Sequence, residues 1–219
     1  MKIVKADFEK NPFIGLFLKA SDRFILVPKS APEKLVEIAV ETLEAEAIKL
    51  FVNQSHLLGL YCAMNSRGCV LPRTTEPEEI AILKKAGLNV CTVSDKFSAI
   101  GNNIAVNDKG ALVNPEISGN DCKAIADCLG VEVFRRKVAG FSTVGALTVA
   151  TNRGVLTCNE ASESDLELME KCFGVKGGKG SSNMGTPFNS LGVIANSKGA
   201  VVGELTTGFE MGRVHEALA

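Results

Sequence analysis

Five short polar segments recur along the chain at nearly constant spacing, and each has the composition of a tight turn between two strands. Their last residues lie 44, 42, 44 and 45 positions apart. Asn, Asp and Ser favour such turns because their side chains bond the local backbone. The repeat therefore divides the 219 residues into five units of about 44 residues. The segments are Ala20–Phe24, Met64–Gly68, Val106–Gly110, Ala150–Gly154 and Ala195–Gly199.

The residue that closes each turn is Gly in four of the five segments. A closing Gly favours the positive φ of a hairpin with a glycine bulge, so we predict that conformation there. Phe24 closes the first segment, and we predict that this turn is built differently. Apolar residues flank the turns, as Leu16–Leu18 and Ile25–Val27 do around the first one. Each turn is therefore predicted to join two strands.

Six to eight residues after each turn, a Ser or Thr is followed three positions later by Glu or Asp. This spacing is typical of the capping box, in which two side chains satisfy free amides at a helix start. One such match is weak evidence, but five in register with five turns predict five helices. The pairs are Ser30/Glu33, Thr75/Glu78, Ser118/Asp121, Ser162/Asp165 and Thr207/Glu210.

A third strand is predicted after the helix of each unit. The candidates are Ala47–Val52, Leu88–Val93, Val131–Val138 and a Gly-rich stretch near Val175. The fifth unit ends without one, and Lys2–Phe8 is the obvious replacement. Pairing of that N-terminal segment with the last unit would remove the exposed sheet edges. The predicted fold is a single α/β domain over residues 1–219, a five-fold pseudosymmetric closed propeller of strand-strand-helix-strand units.

A glycine precedes the closing residue of four turns by nine positions. Such regularity predicts close backbone approach where the units meet. The fifth unit departs from the pattern, because Ser190 stands at that position. Asn102 and Asn103 follow Gly101 directly, where we expect a strand to open, and Asn is a poor strand former. Such local inconsistency is often functional. The four glycines are Gly15, Gly59, Gly101 and Gly145.

Composition excludes several classes of protein. The net charge is −1, which excludes a polycation that coats nucleic acid by charge alone. Seven cysteines without a Cys-x-x-Cys pair argue against a disulfide framework and against zinc, and no cofactor is predicted. No apolar run reaches the roughly 18 residues of a membrane helix, and the N-terminus lacks a signal peptide. We expect a cytoplasmic protein.

Two basic segments and two histidines are weaker candidates. The stretch from Gly174 to Ser182 fails the phosphate-loop pattern, because Gly180 follows Lys179 where Ser or Thr is needed. It is either a mobile basic loop or a loop that touches an acidic or RNA partner. Arg135-Arg136-Lys137 is either a solvated strand end or a contact for an anionic partner. His56 and His215 are expected to have structural or surface roles.

Several longer strings resemble the translation initiation factor 6 family of archaea and eukaryotes, and the resemblance runs from Met1 to the end of the chain. The strings are Phe97–Asn102, Val106–Val113, Val131–Phe134 and Ile194–Gly203. The resemblance implies the pentein fold. The end at Ala219, without the extended tail of the eukaryotic members, favours the archaeal branch.

The resemblance also implies a function without catalysis. Members of this family bind the intersubunit face of the large ribosomal subunit, against a ribosomal protein and a nearby RNA loop. They sterically prevent joining of the small subunit and are linked to large-subunit biogenesis, and in eukaryotes a partner protein and a GTPase release them. The family's ribosome-facing positions correspond here to Gly15, Gly101, Asn102, Lys179, Gly180 and Ser181.

Two alternative functions are a guanidine-modifying enzyme and a general RNA-binding protein. A guanidine-modifying enzyme of the same fold needs a Cys nucleophile late in the chain, a His base and paired carboxylates, whereas the last cysteine here is Cys172. A general RNA-binding protein needs a basic or aromatic platform, and aromatic residues are only 5% of this chain. We expect a monomer, since a closed ring leaves no free strand edge.

Overall fold

A computed structural model describes residues 1–94 and 96–219. These residues form an α/β structure of five small three-stranded sheets and nine helices. The strands are β1 (Lys2–Ala6), β2 (Lys19–Ala20), β3 (Phe24–Pro28), β4 (Glu46–Leu50), β5 (Ala63–Met64), β6 (Gly68–Pro72), β7 (Asn89–Val93), β8 (Ile104–Val106), β9 (Gly110–Val113), β10 (Glu132–Arg135), β11 (Val149–Ala150), β12 (Gly154–Thr157), β13 (Lys176–Lys179), β14 (Val193–Ala195) and β15 (Gly199–Gly203).

The helices are of two lengths. Five long ones follow the hairpins: α1 (Glu33–Leu43), α3 (Pro77–Lys85), α5 (Gly119–Leu129), α7 (Glu163–Phe173) and α9 (Gly208–Leu218). Four short ones precede the hairpins: α2 (Leu58–Tyr61), α4 (Ile100–Asn103), α6 (Val144–Leu147) and α8 (Asn189–Gly192). A 3₁₀ turn at Ile14–Leu16 holds the corresponding place in the first unit.

All five sheets have the same topology, which is consistent with a five-fold repeated unit. In four of them an antiparallel hairpin is followed by a helix and then by a strand parallel to the second strand, in the orders β2-β3-β4, β5-β6-β7, β8-β9-β10 and β11-β12-β13. In the fifth, β1 takes the third place beside β15, with Lys2 opposite Gly199 and Ala6 opposite Gly203. The predicted pairing of the N-terminal segment with the last unit is therefore confirmed.

The core lies where each long helix packs on the sheet of the unit before it. Leu35 and Ala39 of α1 share a core cluster with Val201 of β15. Val214 and Leu218 of α9 likewise share one with residues of β11 and β12. The middle strand of every sheet is buried along its whole length. Because each cluster spans a unit boundary, neighbouring units stabilise one another.

The closing glycines of the turns are explained by close packing, so the prediction of positive φ was wrong. None of Gly68, Gly110, Gly154 and Gly199 has a positive φ. A Cβ atom on any of them would instead come closer than 3.0 Å to a carbonyl oxygen near the end of the next unit's long helix. Phe24 is tolerated because the helix it faces, α3, has 9 residues where the other long helices have 11. Phe24 packs in one cluster with Leu83 of that helix.

The predicted capping boxes are confirmed in two units, half-formed in one and wrong in two. Ser162 and Thr207 form full boxes, and Ser118 accepts the N–H of Asp121. The Ser30/Glu33 and Thr75/Glu78 pairs were wrong. Ser30 lies in a turn that ends before Pro32, the residue that precedes α1. In α3 the box forms one residue later, between Glu76 and Glu79, because proline occupies the first helical position.

The four predicted third strands exist, although β10 is shorter than expected. The Gly-rich stretch near Val175 forms β13, which pairs in parallel with β12. Its glycines lie against neighbouring side chains. A Cβ atom on Gly177 would come within 3.0 Å of Leu166, and a Cβ atom on Gly178 would come within 3.0 Å of Ala217. The strand therefore uses glycine to bring helices close, which the composition alone does not indicate.

Candidate functional site

The short helical segments that open the units meet at the centre of the molecule. A Cβ atom on Gly59 would come closer than 3.0 Å to the carbonyl oxygen of Gly15. A Cβ atom on Gly101 would also come closer than 3.0 Å to the carbonyl oxygen of Gly59. Gly145 meets Gly101 in the same way, and Gly15 meets Ser190 of α8. The predicted close approach at these four glycines is confirmed. The structure thus brings Gly15 and Gly101, two of the sequence-predicted site residues, into one contiguous layer.

The prediction that Asn102 stands at the opening of a strand was wrong, but the surroundings of this residue are unusual in another respect. Asn102 lies in the short helix α4, and the strand begins two residues later at Ile104. Asn is an ordinary residue in such a turn of helix, so strand propensity does not make it an outlier.

The two adjacent asparagines have different surroundings. Asn103 is buried, its amide donates to the carbonyl of Ala99 at 2.8 Å, and its Oδ1 accepts from the amide of Asn114 at 2.7 Å. Asn102 is partly exposed, yet its Oδ1 is shielded from solvent and has no hydrogen-bond partner among the described residues. A shielded acceptor without a partner is costly and is often explained by function. Asn103 therefore belongs to the fold, and Asn102 has unused bonding capacity.

The equivalent positions in the other units are apolar. Leu16, Leu60 and Leu191 are partly exposed, and Ala146 is buried. We refer to Leu16, Leu60, Asn102 and Leu191 together as the axial surface. Apolar side chains around a single polar group that needs a partner are typical of a protein-binding surface.

The predicted contact segment Lys179, Gly180 and Ser181 is tied to the protein itself. Lys179 ends β13 and its Nζ lies 2.6 Å from Glu163, while Lys176 pairs with Glu170 at 3.0 Å. The N–H of buried Gly180 donates to Thr157 at 2.9 Å. The interpretation as a mobile basic loop is therefore wrong. Because the carbonyl of Gly180 accepts from Asn189 of α8 at 3.0 Å, the segment still adjoins the central layer.

Glu210 anchors the loop that follows this segment, a role that the capping pattern did not reveal. Its carboxylate accepts from Ser181 Oγ at 2.8 Å and from the N–H groups of Gly185 and Met184 at 2.8 and 3.2 Å. Burial favours the neutral acid, but bonds from Thr207, Gly185 and Ser181 outweigh it and lower the pKa of Glu210 to about 2.

The same arrangement recurs in two other units. Glu79 accepts from the N–H groups of Asn53 and Gln54 at 2.8 and 3.0 Å, and Asp165 accepts from Ala139 at 3.3 Å. All three acids occupy the third position of a long helix and hold residues with positive φ. The signal in the sequence would have been an acidic residue three positions after a helix cap, together with a turn of two or three residues earlier in the chain.

The surroundings of the candidate catalytic groups do not resemble an active site. Cys172 is buried, and this burial raises the pKa of its thiol to about 12, the opposite of what a nucleophile requires. His56 stacks on Phe17 with ring centres 5.6 Å apart, and His215 is exposed on α9. Among residues 1–94 and 96–219 no group of three His, Cys, Asp or Glu side chains could hold a metal ion.

The remaining basic candidate is an exposed strand end. Arg135 donates to the carbonyl of Pro115 at 2.5 Å, and Arg136 donates to the carbonyl of Arg135 at 2.9 Å.

In the part of the chain that the structure describes, no helix has the length and apolar character needed to cross a membrane.

These observations describe a five-unit α/β repeat protein whose axial surface combines partly exposed leucines with the unsatisfied amide oxygen of Asn102. Residues 3–217 match the model of the eIF-6 family, and the chain belongs to that family.

The sequence of this chain aligns with individual members of the family over nearly their whole length. The chain is 38% identical to translation initiation factor 6 of Pyrococcus horikoshii, over 100% of this chain and 99% of that protein. It is 38% identical to the protein of that name from Pyrobaculum arsenaticum, over 94% and 93%, and 34% identical to that from Thermoplasma acidophilum, over 99% and 100%. These relatives are archaeal, as the sequence resemblance indicated.

Proposed function

We propose that this protein is a translation factor that binds the intersubunit face of the large ribosomal subunit and sterically prevents joining of the small subunit. The observation that carries the proposal is the axial surface in a member of the eIF-6 family. There Asn102 offers an acceptor that no described residue satisfies. A role in large-subunit biogenesis follows if the protein joins the subunit before assembly is complete.

In this proposal the fold is the pentein propeller, a single closed domain over residues 1–219. Three contacts support closure: β1 pairs with β15, Gly15 meets Ser190, and β14 lies beside β2. A closed ring of short segments is rigid, and a steric blocker needs a rigid, broad face. We propose that the protein acts as a monomer in this role.

The proposed contact with the large subunit involves both ribosomal protein and ribosomal RNA. A ribosomal protein of the intersubunit face covers the partly exposed leucines, and its polar groups or the nearby RNA loop satisfy Asn102. Gly15 and Gly101 let the helices approach closely enough to form this surface. Lys179, Gly180 and Ser181 serve it indirectly, by positioning α8 through the bond between Gly180 and Asn189.

Binding without catalysis is sufficient for this role. Net charge −1 suits a surface shared between protein and RNA better than a grip on RNA alone. Because ribosomal subunits are cytoplasmic, the protein acts in the cytoplasm. A release partner and a GTPase would restore joining by removing the protein from the subunit.

Sedimentation with purified archaeal ribosomal subunits tests the proposal. The protein is expected to pellet with large subunits and to stay in the supernatant with small ones. Added to large subunits before small ones, it should reduce the yield of joined ribosomes in a sucrose gradient. Pelleting with small subunits, or an undiminished yield of joined ribosomes at saturation, would overturn the proposal.

A further inference from the structure

A small cavity lies at the centre of the molecule, between the inner strands. Its volume is about 30 Å³, which is room for one or two water molecules. The walls come from β2, β5, β8, β11 and β14 and consist mainly of small apolar side chains such as Ala20, Ala105 and Ala195. Lys19 is the one lining residue with a charged side chain.

Lys19 differs from the paired lysines of this protein. Lys49, Lys96, Lys176 and Lys179 each have a glutamate within 3.1 Å. The ammonium group of Lys19 forms neither an ion pair nor a hydrogen bond with any residue of the described ranges, although it has three protons to donate. A cation in such an environment is costly unless a counter-charge is near.

The neighbouring groups do not provide that counter-charge. Burial lowers the pKa of Lys19, and the titratable groups that act on it are the buried thiols of Cys62 and Cys69.

The carboxylates at the turn end of the molecule are hydrogen-bonded to neutral groups of the turns and not to Lys19. Asp22 accepts from the backbone N–H and the hydroxyl of Ser197, at 2.7 and 2.8 Å. Asp108 accepts from the N–H and the hydroxyl of Ser66, both at 2.8 Å. Asn152 bridges the two aspartates with its amide. Lys19 therefore lines the cavity, and no carboxylate of the described residues forms an ion pair with it.

We propose that the central cavity binds a small monovalent inorganic anion, such as chloride, beside the ammonium group of Lys19. The volume limits the ligand to about the size of a water molecule or two, so phosphate and organic acids are too large. Ser190, which also lines the cavity, adds a hydroxyl that can donate to the anion. The site stabilises the fold from within and does not depend on the ribosomal role.

Thermal unfolding of the full chain tests this site. Unfolding is measured in buffers in which chloride or bromide replaces gluconate at constant ionic strength. Gluconate is the reference anion because it is too large to enter the cavity. Above the dissociation constant, each tenfold rise in halide should raise the midpoint of the wild type by about 3–5 °C. Lys19→Met should abolish this dependence, whereas Lys123→Met, at an exposed position on α5, should keep it. Lys19→Gln replaces the first variant if that one does not fold.

Diffraction from wild-type crystals grown in bromide provides a second measurement that needs no variant. An anomalous peak in contact with the Nζ of Lys19 is expected. Water alone at that position, or an equal halide dependence in the wild type and the Lys19 variant, would overturn the proposal.

Discussion

The side-chain amide of Asn107 donates to the carbonyl oxygen of Phe173 at 2.9 Å, across the boundary between the third and fourth units. The same amide donates to the carbonyl of Thr151 at 2.8 Å in the next turn. Asn65 and Asn196 make the equivalent pair of bonds at two other boundaries. One amide in the turn therefore joins its unit both to the next turn and to the end of the next long helix.

Replacing Asn107 with Ala should lower the free energy of unfolding by about 2–3 kcal/mol, because two buried carbonyls lose their donor. Urea unfolding followed by far-ultraviolet circular dichroism measures the change. Asn120→Ala, at an exposed position in the first turn of α5, is the control and should change little. If both variants were equally stable, the boundary would not depend on this amide.

Substitution of Gly59 tests the central layer without altering a proposed contact residue. A methyl group there would meet the carbonyl of Gly15 closer than 3.0 Å, and both are backbone positions that cannot turn away. Gly59→Ala should cost about 3 kcal/mol of stability, at the upper end for overpacking. Gly119→Ala is the matched control, since a Cβ there meets nothing within 4 Å. A thermal midpoint for Gly59→Ala equal to the control's would contradict close packing of the layer.

The repeat and the pairing of the N-terminal strand were predictable because each unit repeats the same turn chemistry. The short helices were not, since four residues are too few to show helical periodicity. That is why Gly101 and Asn102 were assigned to the start of a strand. Positive φ at the closing glycines was wrong for a related reason. Gly68 and its equivalents are needed for contact with a helix far along the chain, and local turn chemistry does not record such a contact.

The candidate site was predictable only in part. The resemblance indicated Asn102, but the sequence does not show that Asn103 is bonded on both sides while Asn102 is not. Lys179 and Ser181 fall in a stretch whose glycines and lysines predict a basic loop. Their partners, Glu163 and Glu210, lie 16 and 29 residues away and are brought near only by the fold.

At acid pH, Glu210 should no longer contribute to the free energy of unfolding. The pKa of this carboxyl is about 2 in the folded protein and 4.5 as its ordinary value, because hydrogen bonds outweigh the effect of burial. The folded state therefore has this stabilisation above pH 4.5 and loses it as the pH falls toward 2. At neutral pH, Glu210→Gln should be less stable by about 1–2 kcal/mol.

The pH profile of unfolding distinguishes this role from a general effect of charge. The difference between wild type and Glu210→Gln should shrink through that acid window. Glu216→Gln, an exposed partner of Arg213, serves as the control and should follow the wild type throughout. A difference between wild type and Glu210→Gln that is constant down to pH 2 would contradict the assigned pKa.

The neighbouring asparagines Asn102 and Asn103 separate binding from folding, since the same substitution has opposite expected effects at the two positions. Asn102→Ser should leave the thermal midpoint almost unchanged, because the Oδ1 of Asn102 bonds no described residue. Its affinity for the large ribosomal subunit should fall by roughly 1–3 kcal/mol, the cost of an interface hydrogen bond. Asn103→Ser should lower the midpoint, because it breaks the bonds to Ala99 and Asn114. Per folded molecule, its affinity should stay close to that of the wild type. Subunit pelleting at a series of concentrations and differential scanning calorimetry measure the two quantities. A lowered midpoint with unchanged subunit affinity in Asn102→Ser would show that this residue serves the fold alone.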